Sequence, residues 1–479
     1  MSLRKIHFWL SLIGLTQMAL WILSGVGFAL LPDDEVNGLV SSRRLEPAPV
    51  PAETVSVAPS DIVADAEIQK ITLTTRAPSD RPVYVVNLKG ESGPDLIDAC
   101  SGDKLSIISE ADATEVARRD FSGAGDVAGV EWISEKYQTG FDYNSSLPAY
   151  RVNFSDWKHT RIYVSPYTGQ ILARRNVYKS ARDLFWTVHV FGYLDREVPN
   201  NIPLIAAGVV SLAAATSGAL IYIPYIRRRK LPTSTPESGW RRVHFWVGLP
   251  VFAQVVLWIA SGIVFSVIYD RAIGGERESR NLEPAPLSDS NMHVTPDQIP
   301  ARLSSRLGHS AAIKTISLQS HGLDGRPVYI VSHDESESPV ILDAQTGNWM
   351  DRLNPDQARE IAKRDFAGTA AVESVETLTR PYEKGYDYFG ELPVYRVNFA
   401  NWKGTRIYVS PNTGDIRLRR NIDKTLFDLG WTLHMFGYVS HDINGNPGLI
   451  AAGAVSIALL MSGIALYIPY FKRKPFKRN

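Results

Sequence analysis

The chain has one cysteine, Cys100, in 479 residues. A single thiol closes no intramolecular disulfide. It also cannot attach a c-type haem or hold an iron–sulfur cluster by itself. No Gly-rich nucleotide fingerprint follows a strand-like run, so any NADH or flavin must belong to a partner. The net charge of +1 carries no basic excess that would call for a nucleic acid. Charge is also missing where the apolar residues gather. The runs Ile6–Leu31, Ile202–Ile226, Val243–Tyr269 and Leu449–Phe471 contain no Asp, Glu, Lys or Arg between their ends. The overall 44% hydrophobic content, ordinary for a soluble enzyme, hides this clustering.

Each run is long enough for the ~20 apolar residues that cross a ~30 Å hydrocarbon core. The first follows Arg4 and Lys5, as a secretion signal would, but it is too long for a signal core and lacks a small-residue cleavage site. Its counterpart at Val243–Tyr269 lies mid-chain, so both are expected to be permanent spans. Basic residues collect at one end of every run: Arg4 and Lys5; Arg227 to Lys230; Arg241 and Arg242; Lys472 to Arg478. Asp33, Asp34, Glu35, Asp195, Asp270 and Asp442 mark the opposite ends. The positive-inside rule makes the basic side cytoplasmic. Both termini are then cytoplasmic, and Pro32–Pro199 and Arg271–Pro447 lie outside, in a periplasm if the cell is Gram-negative. These clusters act as topology signals and need no nucleic acid to explain them.

The two halves overlay. His7-Phe8-Trp9 recurs as His244-Phe245-Trp246, and Gln17, Trp21, Ser24 and Gly25 recur as Gln254, Trp258, Ser261 and Gly262, a shift of 244 − 7 = 237. Tyr150 to Phe154 recurs as Tyr395 to Phe399, a shift of 395 − 150 = 245, and Trp186, His189 and Phe191-Gly192-Tyr193 follow as Trp431, His434 and Phe436-Gly437-Tyr438. Each half carries two spans, so both copies start on the same side and form parallel repeats. Corresponding residues should therefore face each other at equal depth.

The outer segments repeat internally. Asp98 to Gly102, Ser165 to Gly169, Asp343 to Gly347 and Ser410 to Gly414 are similar turns, opened by Asp or Ser and closed by Gly. Strand-like runs at Val83–Leu88, Arg161–Val164, Val328–Val331 and Arg406–Val409 precede them, and Glu110–Phe121 and Asp356–Phe366 read as helices. Four small α+β units are expected, two per half. With the Arg/Lys-x-His opening of the first span and the His segment before the second, the chain resembles the PepSY-associated transmembrane family over essentially its whole length.

The expected fold is thus an integral membrane protein with four transmembrane α-helices in two parallel repeats, carrying periplasmic α+β PepSY-like domains. Its spans are 6–31, 202–226, 242–269 and 448–471. PepSY-like pairs occupy 32–183 and 270–425, and interfacial His segments with their loops 184–201 and 426–447. A cytoplasmic linker (227–241) and tail (472–479) complete the chain. The resemblance implies a haem-containing inner-membrane reductase tied to ferric-siderophore uptake.

Of ten histidines, four recur in the repeat: His7, His244, His189 and His434. A haem or metal on the pseudo-twofold axis needs one ligand from each half. His7 and His244 open their spans beside the basic clusters. His189 and His434 lie in the apolar stretches Leu184–Leu194 and Leu426–Val439, expected at the outer interface. Ligands on opposite faces cannot share an iron whose nitrogens lie about 2 Å away. The expected pairs are His7 with His244 and His189 with His434. Two histidines alone make a poor zinc site, whereas haem brings its own equatorial nitrogens, so two haem b groups are expected. Gly25, Gly262, Gly218 and Gly463, each after a serine, would open flat slots at the two levels. Taken singly, such histidines suit the headgroup region and such small residues suit helix packing.

The expected partners are membrane lipid, a cytoplasmic or quinol electron donor, and a ferric siderophore or other ferric chelate as acceptor. The acceptor comes from the resemblance. Gln17 and Gln254 are candidates for a hydrogen bond across the axis, and Trp21 and Trp258 lie between the two levels. Phe141, Asp142-Tyr143, Tyr386 and Asp387-Tyr388 are candidates for chelate contact or for core packing. Two alternatives compete: a non-catalytic PepSY sensor or protease-regulating protein, and a permease. The spans offer no repeated carboxylate for the permease.

Overall fold

The computed structural model describes residues 2–63, 67–91, 93–136, 145–192, 201–228, 236–268, 273–281, 285–287, 292–334, 338–380, 388–439 and 445–473. The chain forms two compact units. One comprises Met1–Val36, Tyr178–Ile273 and Asp423–Asn479, the other Asn37–Val177 and Gly274–Ile422. Helices of eleven residues or more are, in chain order, α1 (Leu3–Leu30), α2 (Glu110–Asp120), α3 (Val177–His189), α4 (Ile202–Arg228), α5 (Pro236–Val267), α6 (Pro355–Asp365), α7 (Ile422–His434) and α8 (Pro447–Arg473).

In the first unit, segments Leu3–Leu30, Ile202–Ile223, Gly239–Val267 and Pro447–Ile468 are long and apolar enough to cross a membrane. Helix α1 begins ahead of its apolar run, where Arg4 and Lys5 are good helix formers and extend the ladder; α5 starts further ahead, with Pro236 at its first position. Helix α1 packs on α4 and α8, and α5 packs on α8 and α4, which closes a four-helix ring. The halves meet at two equivalent glycines. A Cβ on Gly208 would lie 2.8 Å from Ile263, and one on Gly453 would lie 2.5 Å from Val26. Only a bare backbone permits that approach.

The expected boundaries at residues 183 and 425 are corrected. His189 and His434, read as lying in short apolar stretches, end the 13-residue helices α3 and α7. Those helices start in the polar turns Val177–Arg182 and Ile422–Thr425, which an apolar scan passes over. The units accordingly divide at Val177/Tyr178 and Ile422/Asp423.

The second unit has fourteen named strands among its described residues: β1 (Ile68–Arg76), β2 (Arg81–Leu88), β3 (Asp95–Asp98), β4 (Val127–Ile133), β5 (Ala149–Phe154), β6 (Arg161–Val164), β7 (Ile171–Arg175), β8 (Ile313–Ser320), β9 (Pro327–His333), β10 (Val340–Asp343), β11 (Val372–Leu378), β12 (Val394–Phe399), β13 (Arg406–Val409) and β14 (Ile416–Arg420). They form three sheets, ordered β10-β9-β8-β1-β2-β3, β4-β5-β6-β7 and β11-β12-β13-β14. Four small α+β units were expected, two per half. The first unit of each half instead joins its counterpart, because β1 and β8 would each leave an open edge and pair antiparallel to cover it. Thr72 faces Ser317 at the centre of that pairing, and 317 − 72 = 245, so these two residues are counterparts in the two halves. Their hydroxyls lie 3.3 Å apart. One core, including Ile71, Leu73, Tyr84, Ile316, Leu318 and Tyr329, spans the joint sheet.

The expected turns and helices form where the residues required them. Asp98 accepts from the amides of Cys100 and Ser101, and Asp343 does the same for Gln345 and Thr346. Capping boxes start α2 at Ser109/Asp112 and α6 at Asn354/Gln357. At the end of α2, the buried Asp120 takes a two-pronged hydrogen bond from Arg174 on β7, at 2.6 and 2.7 Å. Asp365 and Arg419 repeat it at 2.7 and 2.6 Å. Burial pushes the Asp120 carboxyl up, but hydrogen bonds from Arg174, Leu45 N–H and Ser42 outweigh it and hold the group below the usual aspartate range.

Candidate paired-histidine site

His189 and His434 are the last residues of α3 and α7. Their rings face each other with centroids 5.9 Å apart and planes at 85°. Two imidazoles on either side of one iron, each with a nitrogen about 2 Å from it, need centroids roughly 6 Å apart.

The rings are held through Nδ1. Ser24 Oγ lies 2.9 Å from His189 Nδ1, and Ser261 Oγ lies 2.8 Å from His434 Nδ1. Each serine already donates its proton to its own helix, Ser24 to Leu20 O and Ser261 to Leu257 O, both at 2.6 Å. A hydroxyl has one proton, so at Nδ1 it can only accept. The imidazoles therefore carry their proton on Nδ1 and keep the Nε2 lone pair. This is the form in which histidine ligates a metal through Nε2, with its other nitrogen fixed by a hydrogen bond.

Helices α3 and α7 end in a tight turn. Gly192 N–H and Gly437 N–H each return 2.8 Å to Thr187 O and Thr432 O, and Phe191 and Phe436 sit at φ +58° and +54°. A left-handed conformation is costly for so bulky a residue and must be held by its surroundings. Trp21 Nε1 donates to His189 O at 2.8 Å, and Trp258 Nε1 to His434 O at 2.7 Å. These tryptophans tie down the helix-end carbonyls of the histidines themselves. Asn446 Nδ2 donates to Met435 O and Phe436 O at 3.1 and 3.2 Å, while its Oδ1 accepts from Gly448 and Leu449 N–H at the start of α8. Asn201 makes the equivalent contacts to Val190 O, Phe191 O and Leu204 N–H. Sequence reasoning missed both asparagines. The signal was there in the repeat: each precedes a matching Leu-Ile-Ala-Ala-Gly, at Leu204 and Leu449.

His7 and His244 are held through Nδ1 in a similar way. His7 Nδ1 lies 2.9 Å from Ala214 O, a carbonyl that can only accept, so this nitrogen also carries its proton. Ser217 Oγ is 3.3 Å away and itself donates to Ala214 O. On the other half, His244 Nδ1 meets Ser462 Oγ at 2.9 Å, and that hydroxyl donates to Leu459 O. His7 lies within electrostatic reach of His244.

The two pairs are far apart. Ser24 follows His7 by 24 − 7 = 17 residues on α1, and Ser261 follows His244 by 261 − 244 = 17 on α5. At ~1.5 Å per residue the levels are separated by about 25 Å. One mostly apolar cavity of about 1460 Å³ is lined by all four histidines and by Gly25, Gly218, Gly262 and Gly463. That exceeds the ~300–1,000 Å³ of a site for one small ligand. The glycines differ in role. A Cβ on Gly218 would lie 2.9 Å from His7 Cε1, one on Gly463 3.4 Å from His244 Cε1, and one on Gly25 3.8 Å from His189 Cε1; one on Gly262 meets nothing within 4 Å. Among the described residues no three of His, Cys, Asp and Glu gather as a metal cluster. The donor set suits a group that brings its own equatorial ligands.

The remaining expectations divide. Gln254 bonds within its own half, donating to Leu433 O and accepting from Tyr438, so the hydrogen bond across the axis is corrected. Gln17 Nε2 finds no partner among the described residues. Tyr388 is buried, stacks on Tyr408 and donates to Glu391 O, which makes it a core residue. Phe141, Asp142, Tyr143, Tyr386 and Asp387 lie outside the described residues, as do Tyr193, Asp195, Asp270 and Asp442. Cys100 is an exposed turn residue without a disulfide.

Two family models match the chain. The model described as the PepSY-associated TM region covers residues 4–353, and that described as the peptidase propeptide and YPEB domain covers 352–420. The second takes in α6 and β11 to β14. No curated protein matches the chain.

Proposed function

The chain belongs to the PepSY-associated TM region family and carries a PepSY domain, and from that premise we propose that it is a dihaem b electron-transfer protein of a bacterial inner membrane that reduces a ferric chelate outside. The observation that carries this reading is the facing pair His189 and His434, 5.9 Å between centroids, with both Nδ1 atoms tied to serines. His7 and His244, anchored in the same way about 25 Å along the helices, would hold a second group.

Haem iron, when bound, supplies one-electron redox chemistry, and no side-chain acid, base or nucleophile is then demanded. The chain's own residues do the rest. The serines keep Nε2 as a lone pair, the tryptophans and asparagines fix the helix ends that carry two of the ligands, and the apolar lining of the cavity excludes water. The halves act as parallel repeats, with both termini cytoplasmic and the sheet domains periplasmic; the basic ends of the spans support this orientation. Electrons would enter at the His7/His244 level from a cytoplasmic partner or a quinol and leave at the His189/His434 level to a ferric siderophore or other ferric chelate. Reduction to Fe(II) loosens hard oxygen ligands and frees the iron.

The test is a pyridine haemochrome assay, followed by reduction and mixing with a hydroxamate or catecholate ferric chelate. Two b haems per chain and reoxidation by the chelate support the proposal. Folded protein without haem would leave the sensor reading instead.

A further inference from the structure

The two most exposed tryptophans of the chain are Trp157, at 71%, and Trp402, at 83%. They are counterparts in the two halves, since 402 − 157 = 245, and each sits in the hairpin between the middle strands of a four-stranded sheet, β5–β6 and β12–β13. An indole has a large apolar body that water does not favour, so its exposure twice at one place in the repeat calls for an occupant. The hairpins that carry them are tightly closed. Asp156 accepts from Thr160 N–H at 2.7 Å and from its Oγ1 at 2.8 Å. Asn401 accepts from Thr405 N–H at 2.9 Å and donates to its Oγ1 at 2.8 Å. In both hairpins the next residue, Lys158 or Lys403, has its Nζ 5.6 Å from the indole centroid, within cation–π reach.

The same hairpins are tied to the first residues of α3 and α7. Lys158 O accepts from Val177 N–H and Lys403 O from Ile422 N–H, both at 2.8 Å. Val177 and Ile422 are exposed, and their helical faces continue as exposed Leu184 on α3 and exposed Leu426 and Leu429 on α7, at i+4 and i+7 spacing. Helix length then limits how far the hairpins can stand from the spans. Ser24, which holds His189, lies 30 − 24 = 6 residues before the end of α1, about 9 Å. Val177 lies 189 − 177 = 12 residues before His189, about 18 Å. Whatever the direction of α3, Val177 is therefore at most about 9 Å beyond the end of that span. The counts repeat in the other half, 267 − 261 = 6 on α5 and 434 − 422 = 12 on α7. The headgroup layer outside the hydrocarbon core is roughly 5–8 Å thick, and an indole is long enough to cover the remainder. We propose that Trp157 and Trp402 enter the headgroup layer of the leaflet on the His189/His434 side, so that each half of the sheet unit rests on lipid through one indole. That layer suits a side chain with an apolar body and one N–H donor. The proposal rests on the four spans crossing a bilayer and not on haem.

The test is fluorescence quenching of the full-length protein in phosphatidylcholine vesicles, with and without bromine on the acyl chains near the headgroup. Wild type is compared with Trp157→Phe, Trp402→Phe and the double variant, and each difference spectrum isolates the emission of the replaced indoles. The ratio with and without bromine cancels any quenching by a bound cofactor. Both side chains lie outside the core, so the variants should melt with wild type; the two single variants let either position decide if the other fails to fold. The difference emission should lose most of its intensity in brominated lipid and should be shielded from acrylamide dissolved in the water. Quenching by acrylamide and not by brominated lipid would place the indoles in water and overturn the proposal. Quenching by neither would place them against protein, as in a contact between two copies of the chain, and would overturn it equally. Neither result touches the haem reading, which the haemochrome assay tests separately.

Discussion

Ser24 Oγ lies 2.9 Å from His189 Nδ1 and 2.6 Å from Leu20 O, so one hydroxyl fixes which ring nitrogen keeps its proton. The small residue before Gly25 is therefore more than a gap in a helix. Ser24→Ala should free the imidazole to change tautomer and tilt. By the usual effect of losing such a support, ligand affinity at the His189/His434 level should fall about 10–100-fold. Haem retention during gel filtration, read against the untouched His7/His244 level, measures this. Retention at the wild-type level would show that the serine is only filler.

Asn446 joins the end of α7 to the start of α8. Asn446→Ala should cost about 1–2 kcal/mol through loss of the helix cap and of two carbonyl partners. Asn446→Asp separates those roles, since a carboxylate caps the helix but donates nothing to Met435 O and Phe436 O. The Asp variant should melt close to wild type yet alter the optical spectrum of the haem at His434. If Asp and Ala variants share a wild-type spectrum, the clamp does not position the histidine.

The buried pair of Asp120 and Arg174 predicts a pH effect in the sheet unit. The carboxyl is held below its unfolded value, so its contribution is fully present above the unfolded pKa near 4. It is lost as pH falls through the lower, folded value. Asp120→Asn should remove this acid-side dependence and, by stranding Arg174, destabilise the unit by about 3–5 kcal/mol at neutral pH. Denaturant melts of both proteins at pH 7 and pH 3 check it. A gap between them that stays constant with pH would contradict the linkage.

Much of this arrangement could be read from the residues. Charge-free runs announced the helices, and the shift of 245 residues matched His189 with His434, whose rings meet. Asp and Ser turns and the capping residues before α2 and α6 act locally, and they were legible for that reason. What stayed hidden depends on partners distant in sequence. Nothing within Ile68–Arg76 says that its free edge will meet Ile313–Ser320. Val177–Arg182 and Ile422–Thr425 look polar, yet they open the helices that end in His189 and His434. A serine in an apolar run reads as small, and its role as a hydrogen-bond acceptor needs both neighbours in view. Asn201 and Asn446 each link two helix ends that periodicity treats separately.

The central claim is that each haem draws one histidine from each half, and optical redox titration of single His→Ala variants tests it most directly. His189→Ala and His434→Ala should each remove or convert the same haem, leaving the other at its wild-type midpoint; His7→Ala and His244→Ala should do the reverse. In the first two variants reduction of an external ferric chelate should stop while the remaining haem still accepts electrons. If His189→Ala and His434→Ala instead perturb different haems, ligation runs within one half and the pairing is wrong.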